Sequence, residues 1–189
     1  SPARGIFRWT QLLHGNVMVD MNTDSAAIEG YISTQNRELD NAFGGGLPIP
    51  SLALIEGDND SGKTVISQQF LYGALCAGLD ATAITTENTT RSYLAQTKLL
   101  HLDLDRPFVQ GRLKVIPIHV KNVVWTRYRL RKLLSTLTNF LQRNRSKIIL
   151  VDSLTYMFAE ADLDDILTFF TCLKKLTEPN APEVAKPKT

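Results

Sequence analysis

Gly57, Asp58, Asn59, Asp60, Ser61, Gly62, Lys63 and Thr64 follow one another in the order G-x-x-x-x-G-K-[ST], with every fixed position filled. This spacing suits a polyphosphate. The two glycines let backbone N–H groups curl around phosphate oxygens, and the helix that follows turns its positive end on the same charge. Lys63 is placed to reach the β- and γ-phosphates and Thr64 to ligate magnesium through its hydroxyl, so ATP and Mg2+ are the expected cofactors. The same string occurs by chance as a glycine turn without a ligand. Its position between an apolar run and an amphipathic helical segment favours the phosphate loop.

Ile148, Ile149, Leu150 and Val151 lead directly into Asp152. A carboxylate at the C-terminal end of an apolar parallel strand lies beside the phosphate loop, in the crevice where such sheets bind ligands. Asp152 is therefore the candidate second magnesium residue, acting through the metal's water shell. On its own the residue also reads as a cap for whatever follows. Glu87 closes another apolar strand and is the candidate catalytic carboxylate, facing the γ-phosphate and polarising a water. The alternative, a Glu favoured by the dipole at a helix start, stands equally at this point.

These groups need a rigid frame. Residues 51–56 form a short apolar run that leads into Gly57, read as a buried strand. Residues 64–76 read as a helix with Val65, Ile66, Phe70, Leu71 and Ala74 near one face, closed by Gly78. Strands follow at 81–86, 113–117 and 147–152, with Pro117 at the exit of its strand where a missing N–H does little harm. Helices are expected at 90–100, 123–143 and 166–176. The second of these carries Leu130, Leu133, Leu134, Leu137 and Leu141 as one apolar stripe. Strands alternating with helices require right-handed crossovers and a mostly parallel sheet buried on both faces. The predicted architecture is a three-layer α/β fold.

Residues 1–30 show no clean period and read as an irregular or helical extension, or as a remnant preceding a native start at Met18 or Met21. Residues 31–176 form the nucleotide-binding domain. Residues 177–189 hold Pro179, Pro182 and Pro187 with little apolar content, a composition expected to be disordered.

The whole chain of 189 residues is enough for one domain, and its net charge of +2 gives no bulk attraction for nucleic acid or an acidic membrane. No apolar run reaches bilayer length, and the first residues lack the layout of a secretory signal. Cys76 and Cys172 lie far apart and are expected as reduced, buried thiols. His14, His101 and His119 share no helical spacing that would build a metal site. Arg127, Arg129, Arg131 and Lys132 flank the leucine stripe, so a solvated face is the default, with a partner surface or nucleic-acid track as alternatives. No interleaved aromatics support stacking on single strands.

Ser33 to Asp40, then Gly44-Gly45-Gly46-Leu47-Pro48, then the strand and phosphate loop together resemble the opening of KaiC-like members of the RecA superfamily. Thr85-Thr86-Glu87-Asn88-Thr89-Thr90, Gly111 to Ile116, Val151-Asp152-Ser153-Leu154 and Leu163 to Phe170 resemble the ArlH/FlaH family of archaellum motor ATP-binding proteins within that branch. The resemblance covers about residues 31–176 and implies a RecA-like P-loop fold. It implies a cytoplasmic ATP-binding regulator at the membrane-bound base of the archaellum, forming homo-oligomeric, hexameric rings and docking on the motor ATPase and other motor subunits. Membrane contact would be indirect, nucleic acid would not be a partner, and hydrolysis or autophosphorylation would be weak. Two features depart from the KaiC-like pattern. Glu87 is followed by Asn88 rather than a second glutamate, which argues against fast hydrolysis, and Asp58 and Asp60 put negative charge in the phosphate loop. A RecA-like core also continues with further strands, so the sequence reads as truncated at its C-terminus. The rival functions are an active KaiC-like ATPase or autokinase and a RecA-like DNA-binding recombinase.

Overall fold

Apolar runs of five or six residues cannot bury themselves alone; here they pair into one sheet that helices cover on both faces. A computed structural model describes residues 15–20, 30–58, 60–119, 123, 126–158 and 161–177. In chain order the elements are β1 Gly15–Asp20, β2 Gly30–Ile32, α1 Arg37–Ala42, β3 Leu47–Ile49, β4 Leu52–Glu56, α2 Lys63–Cys76 and β5 Ala81–Thr85. They continue with α3 Thr90–Leu99, α4 Asp105–Val109, β6 Leu113–Pro117, α5 Arg127–Arg143, β7 Ile148–Asp152, α6 Thr155–Phe158 and α7 Leu163–Leu176. The main sheet runs β4-β1-β7-β5-β6, and β2 pairs with β3 in a separate ribbon. β5 is parallel to both β6 and β7, whereas β1 is antiparallel to both its neighbours, so the other four strands share one direction.

Alternation along the central strands divides the core in two. Ile84, Ile149 and Val151 face α5 and α7, meeting Leu130, Leu134, Leu137, Leu141, Phe169 and Leu173. Ala81, Ala83, Ile148 and Leu150 face the opposite layer, where Phe70, Leu71 and Ala74 of α2 pack with Tyr93 of α3 and Leu104 before α4. The three-layer, mostly parallel α/β fold expected from the sequence is present. Pro117 ends the edge strand β6, where an absent N–H costs no ladder bond.

Several local expectations are corrected. Gly15–Asp20 is a strand inserted between β4 and β7, not part of an irregular or helical extension; its pairing partners lie near and far in sequence, beyond the reach of local periodicity. Val65 is exposed, because only the 70, 71, 74 side of α2 turns to the sheet. The long helix starts at Arg127, capped by the Thr126 hydroxyl on the Arg129 N–H. Cys76 is exposed rather than buried, at the last turn of α2, and Cys172 is half-buried; both are free thiols. The proline-rich segment expected to be disordered lies outside the described residues beyond Thr177.

One turn supports the phosphate-loop helix from behind. Asp40 accepts from the Ser33 hydroxyl (2.6 Å), the Thr34 N–H (2.7 Å) and the Thr34 hydroxyl (2.8 Å), and these bonds hold its carboxyl below the usual range. Gln69 of α2 donates to the Thr34 carbonyl at 2.6 Å. At Gly73 a Cβ would stand 1.8 Å from the Ser33 carbonyl oxygen, so only glycine admits this approach.

Candidate functional site

β4 and β7 both end at the same sheet edge, carrying Glu56 into the loop at Gly57 and leaving Asp152 at the tip of the other strand. With β1 between them, those ends are two strand spacings apart, about 10 Å. The loop closes that gap. It brings the Thr64 hydroxyl to donate to Asp152 Oδ1 at 3.2 Å, which leaves the Thr64 oxygen lone pairs available to a cation.

The loop conformation follows from its residue types. Gly62 precedes α2 at φ +87°, and a Cβ on Gly57 would meet Ser61 Oγ at 2.6 Å. α2 begins with no side-chain cap and no acidic residue in its first turn. Its first N–H groups are thus left to an anion, favoured by the helix dipole. Lys63 Nζ donates to the Gly57 carbonyl (2.8 Å) and to the Asp58 carbonyl, which stations the ammonium at the mouth of the loop. Asp58 and Asp60 are both exposed, and Asp60 adopts φ +60°. Asn59 lies outside the described residues.

Asp152 is 4% exposed. Its backbone carbonyl accepts from the Thr86 N–H at 2.9 Å, and the neighbouring Ser153 exchanges two 3.1 Å bonds with the Thr86 hydroxyl, one to its N–H and one to its carbonyl. The ends of β5 and β7 are thereby locked together. Ser153 Oγ then donates to Glu87 Oε1 at 3.3 Å. Glu87 lies before the Thr89 cap of α3, a helix without an acidic residue in its first turn. Glu87 thus sits just outside α3, and its side chain is tied to the residue after Asp152.

Most of the sequence-predicted residues thus lie together: Gly57, Ser61, Gly62, Lys63 and Thr64 along the loop and helix start, Asp152 beside Thr64, and Glu87 bonded to Ser153, the residue after Asp152, while Asp58 and Asp60 face solvent. Thr86 and Ser153 were missed, although Ser153 adjoins Asp152 in sequence. Oxygen donors from Thr64 and Asp152 suit magnesium, and the uncapped helix start with Lys63 suits a polyphosphate. The basic stretch is not assembled into this site. Arg127 pairs with Asp162 at 2.8 Å, and Arg131 meets Asp165 with Nε at 3.0 and 2.8 Å from its two oxygens, joining α5 to the start of α7.

Comparison with known proteins gives concordant matches. The model of a family described as "ATPase: KaiC" matches residues 32–177. The archaeal flagellar ATP-binding protein FlaH of Sulfolobus acidocaldarius is 35% identical over 145 residues, covering 77% of this chain and 63% of that protein. The FlaH of Methanocaldococcus jannaschii is 30% identical over 155 residues, covering 77% and 64%. The circadian clock oscillator protein KaiC of Synechococcus elongatus is 26% identical over 150 residues, covering 77% of this chain and 29% of that one. The crystal structure of the flagellar accessory protein FlaH from Methanocaldococcus jannaschii superposes with a TM-score of 0.61 at 25% identity, covering 79% of this chain and 67% of that one. The chain spans 63% of the length of the Sulfolobus relative and 64% of the Methanocaldococcus one.

Proposed function

The chain belongs to the KaiC ATPase family, and from that premise we propose that it is a magnesium-dependent ATP-binding component of an archaellum motor. The observation that carries the nucleotide part is the Thr64–Asp152 pair set beside an uncapped, Lys63-bearing helix start. The motor assignment is supported by its similarity to FlaH proteins, at 35% identity for one of them.

In this reading the first N–H groups of α2 and the amides of the loop bind the phosphates, with Lys63 leaving its two carbonyl partners to meet the β- and γ-oxygens. Thr64 and Asp152 hold magnesium, Asp152 through water, and the ion supplies neutralisation of the phosphate charge. Exposed Asp58 and Asp60 keep their carboxylates in solvent, where repulsion of the phosphates is screened. Glu87 is then the residue that meets the γ-phosphate and tells ATP from ADP, a role supported by its bond to Ser153 next to Asp152.

Binding energy then appears as assembly rather than turnover, since a bound phosphate biases a partner contact only through differential contacts in the two states. We expect ATP, but not ADP, to promote ring formation and docking on the motor ATPase at the cytoplasmic face of the archaellum base. The test uses the family's full-length protein in native mass spectrometry and motor-ATPase pull-down. Identical oligomers and identical docking in ATP, in ADP and without nucleotide would remove the regulatory reading. A second reading, an active ATPase or autokinase, is favoured by the Ser153 bond to Glu87. Steady-state phosphate release on the order of one per second, abolished by Glu87→Gln, would establish it.

A further inference from the structure

Three consecutive residues at the end of β5 are each held in a different way. The Thr85 hydroxyl accepts from the Glu87 N–H at 3.4 Å and from the Asn88 N–H at 3.2 Å, a local turn that fixes the backbone of Glu87. Thr86 follows the last ladder pair, Thr85 with Asp152, and its buried hydroxyl donates to the Ser153 carbonyl and accepts from the Ser153 N–H, each at 3.1 Å. Both of these bonds use the backbone of Ser153. Any residue with an N–H would make them, so they do not explain a serine at this position. The hydroxyl has a contact of its own: buried Ser153 donates from Oγ to Oε1 of Glu87 at 3.3 Å, and Glu87 is exposed.

We propose that Ser153 is a positioning residue for Glu87: its hydroxyl, carried on the fixed tip of β7, takes Oε1 and leaves Oε2 for a water that bridges to the γ-phosphate. The proposal rests on the reading of Glu87 as the residue that meets the γ-phosphate.

Hydrogen-bond inventory gives the contact its direction. Serine has one proton to donate, and an ionised carboxylate only accepts. With that proton committed to Glu87, Ser153 has none for a phosphate oxygen, so its influence on the nucleotide passes through Glu87. A glutamate side chain in water samples many rotamers, and a donor on a rigid strand end narrows them before the nucleotide arrives. The bridging water gives one proton to Oε2 and the other to a γ-oxygen, a partner that ADP lacks. At 3.3 Å the Ser153 bond is longer than the usual O–H···O distance of about 2.7–2.8 Å, so its effect is several-fold rather than orders of magnitude.

The experiment is a double-mutant cycle read by calorimetry, with β,γ-imido-ATP and ADP each titrated in saturating magnesium. The proteins are the wild type, Ser153→Ala, Glu87→Ala and the double variant. In Ser153→Ala the ratio of imido-ATP to ADP affinity should fall about three- to tenfold, with ADP affinity within about twofold of wild type. The ligand-free melting temperature should stay within about 2 °C, because the Thr86 bonds to the backbone remain. Glu87→Ala should lower the ratio at least as far, and adding Ser153→Ala to it should change nothing more. A normal ratio in Ser153→Ala beside a lowered one in Glu87→Ala would overturn the positioning role and leave the reading of Glu87 intact. A normal ratio in Glu87→Ala would remove the reading of Glu87 itself, and the inference with it. Equal weakening of both nucleotides, a lowered melting temperature, or a full effect of Ser153→Ala in the Glu87→Ala background would make Ser153 a structural residue of the strand end and also overturn the proposal.

Discussion

Replacing Lys63 by alanine tests the nucleotide site through a quantity that needs no turnover. Lys63 is the first residue of α2 and half-buried, and its ammonium rests on the Gly57 and Asp58 carbonyls rather than in either core. Those carbonyls border solvent and rehydrate, so losing two net hydrogen bonds should cost the ligand-free protein no more than about 1–2 kcal/mol. Nucleotide binding loses far more. Two charge-assisted bonds to phosphate oxygens, at roughly 1.5–3 kcal/mol each, make about 4 kcal/mol a reasonable figure, or a roughly thousandfold weaker Kd. With ATP at about a hundred times the wild-type Kd, the wild type gains about 2.7 kcal/mol, whereas the variant, at about a tenth of its own Kd, gains only about 0.06 kcal/mol. For a domain of this size that is a rise of about 5–11 °C against a shift below about 0.3 °C. Differential scanning fluorimetry with ATP and magnesium reads both directly. Equal ATP-induced shifts in the two proteins would refute the assignment of Lys63, and loss of folding in the variant would refute its placement outside the core.

Three further outcomes follow from the frame around the site. Gly73→Ala should destabilise by roughly 1–3 kcal/mol, despite alanine's better helix propensity, because its Cβ would stand 1.8 Å from the Ser33 carbonyl oxygen; unchanged urea midpoints would show that the turn at Ser33 does not press on α2. Asp40 has a folded pKa depressed by Ser33 and Thr34, so its stabilisation is present above the unfolded value and lost as pH falls through the folded one. The stability gap between wild type and Asp40→Asn should therefore narrow as pH drops below about 4, and a gap constant from pH 7 to pH 3 would contradict this. Arg131→Ala removes a pairing with Asp165 at an exposed position, so denaturation should show a loss below about 1 kcal/mol that shrinks with added salt; a larger, salt-independent loss would mean that the α5–α7 contact depends on this pair.

The sequence alone carried the parts of the site whose chemistry is local. Gly57 to Thr64 are consecutive, so backbone freedom, anion-binding amides and the lysine arrive together in one string. The apolar run before Asp152 marks a buried strand end without any knowledge of its neighbours. The leucine stripe of α5 and the continuous apolar run of β7 were legible for the same reason, since a helical period and an apolar run are properties of a single segment. Pairing is not local. Nothing within Gly15–Asp20 says that it enters the sheet between β4 and β7, and short apolar content at a chain end is ambiguous until partners are known. The role of Glu87 was equally open, because a glutamate after a strand serves a helix dipole as well as a phosphate. Only the folded chain brings Ser153 Oγ to Glu87 Oε1, because β5 and β7 pair as neighbours although they are far apart in sequence, a long-range outcome that no residue spacing encodes.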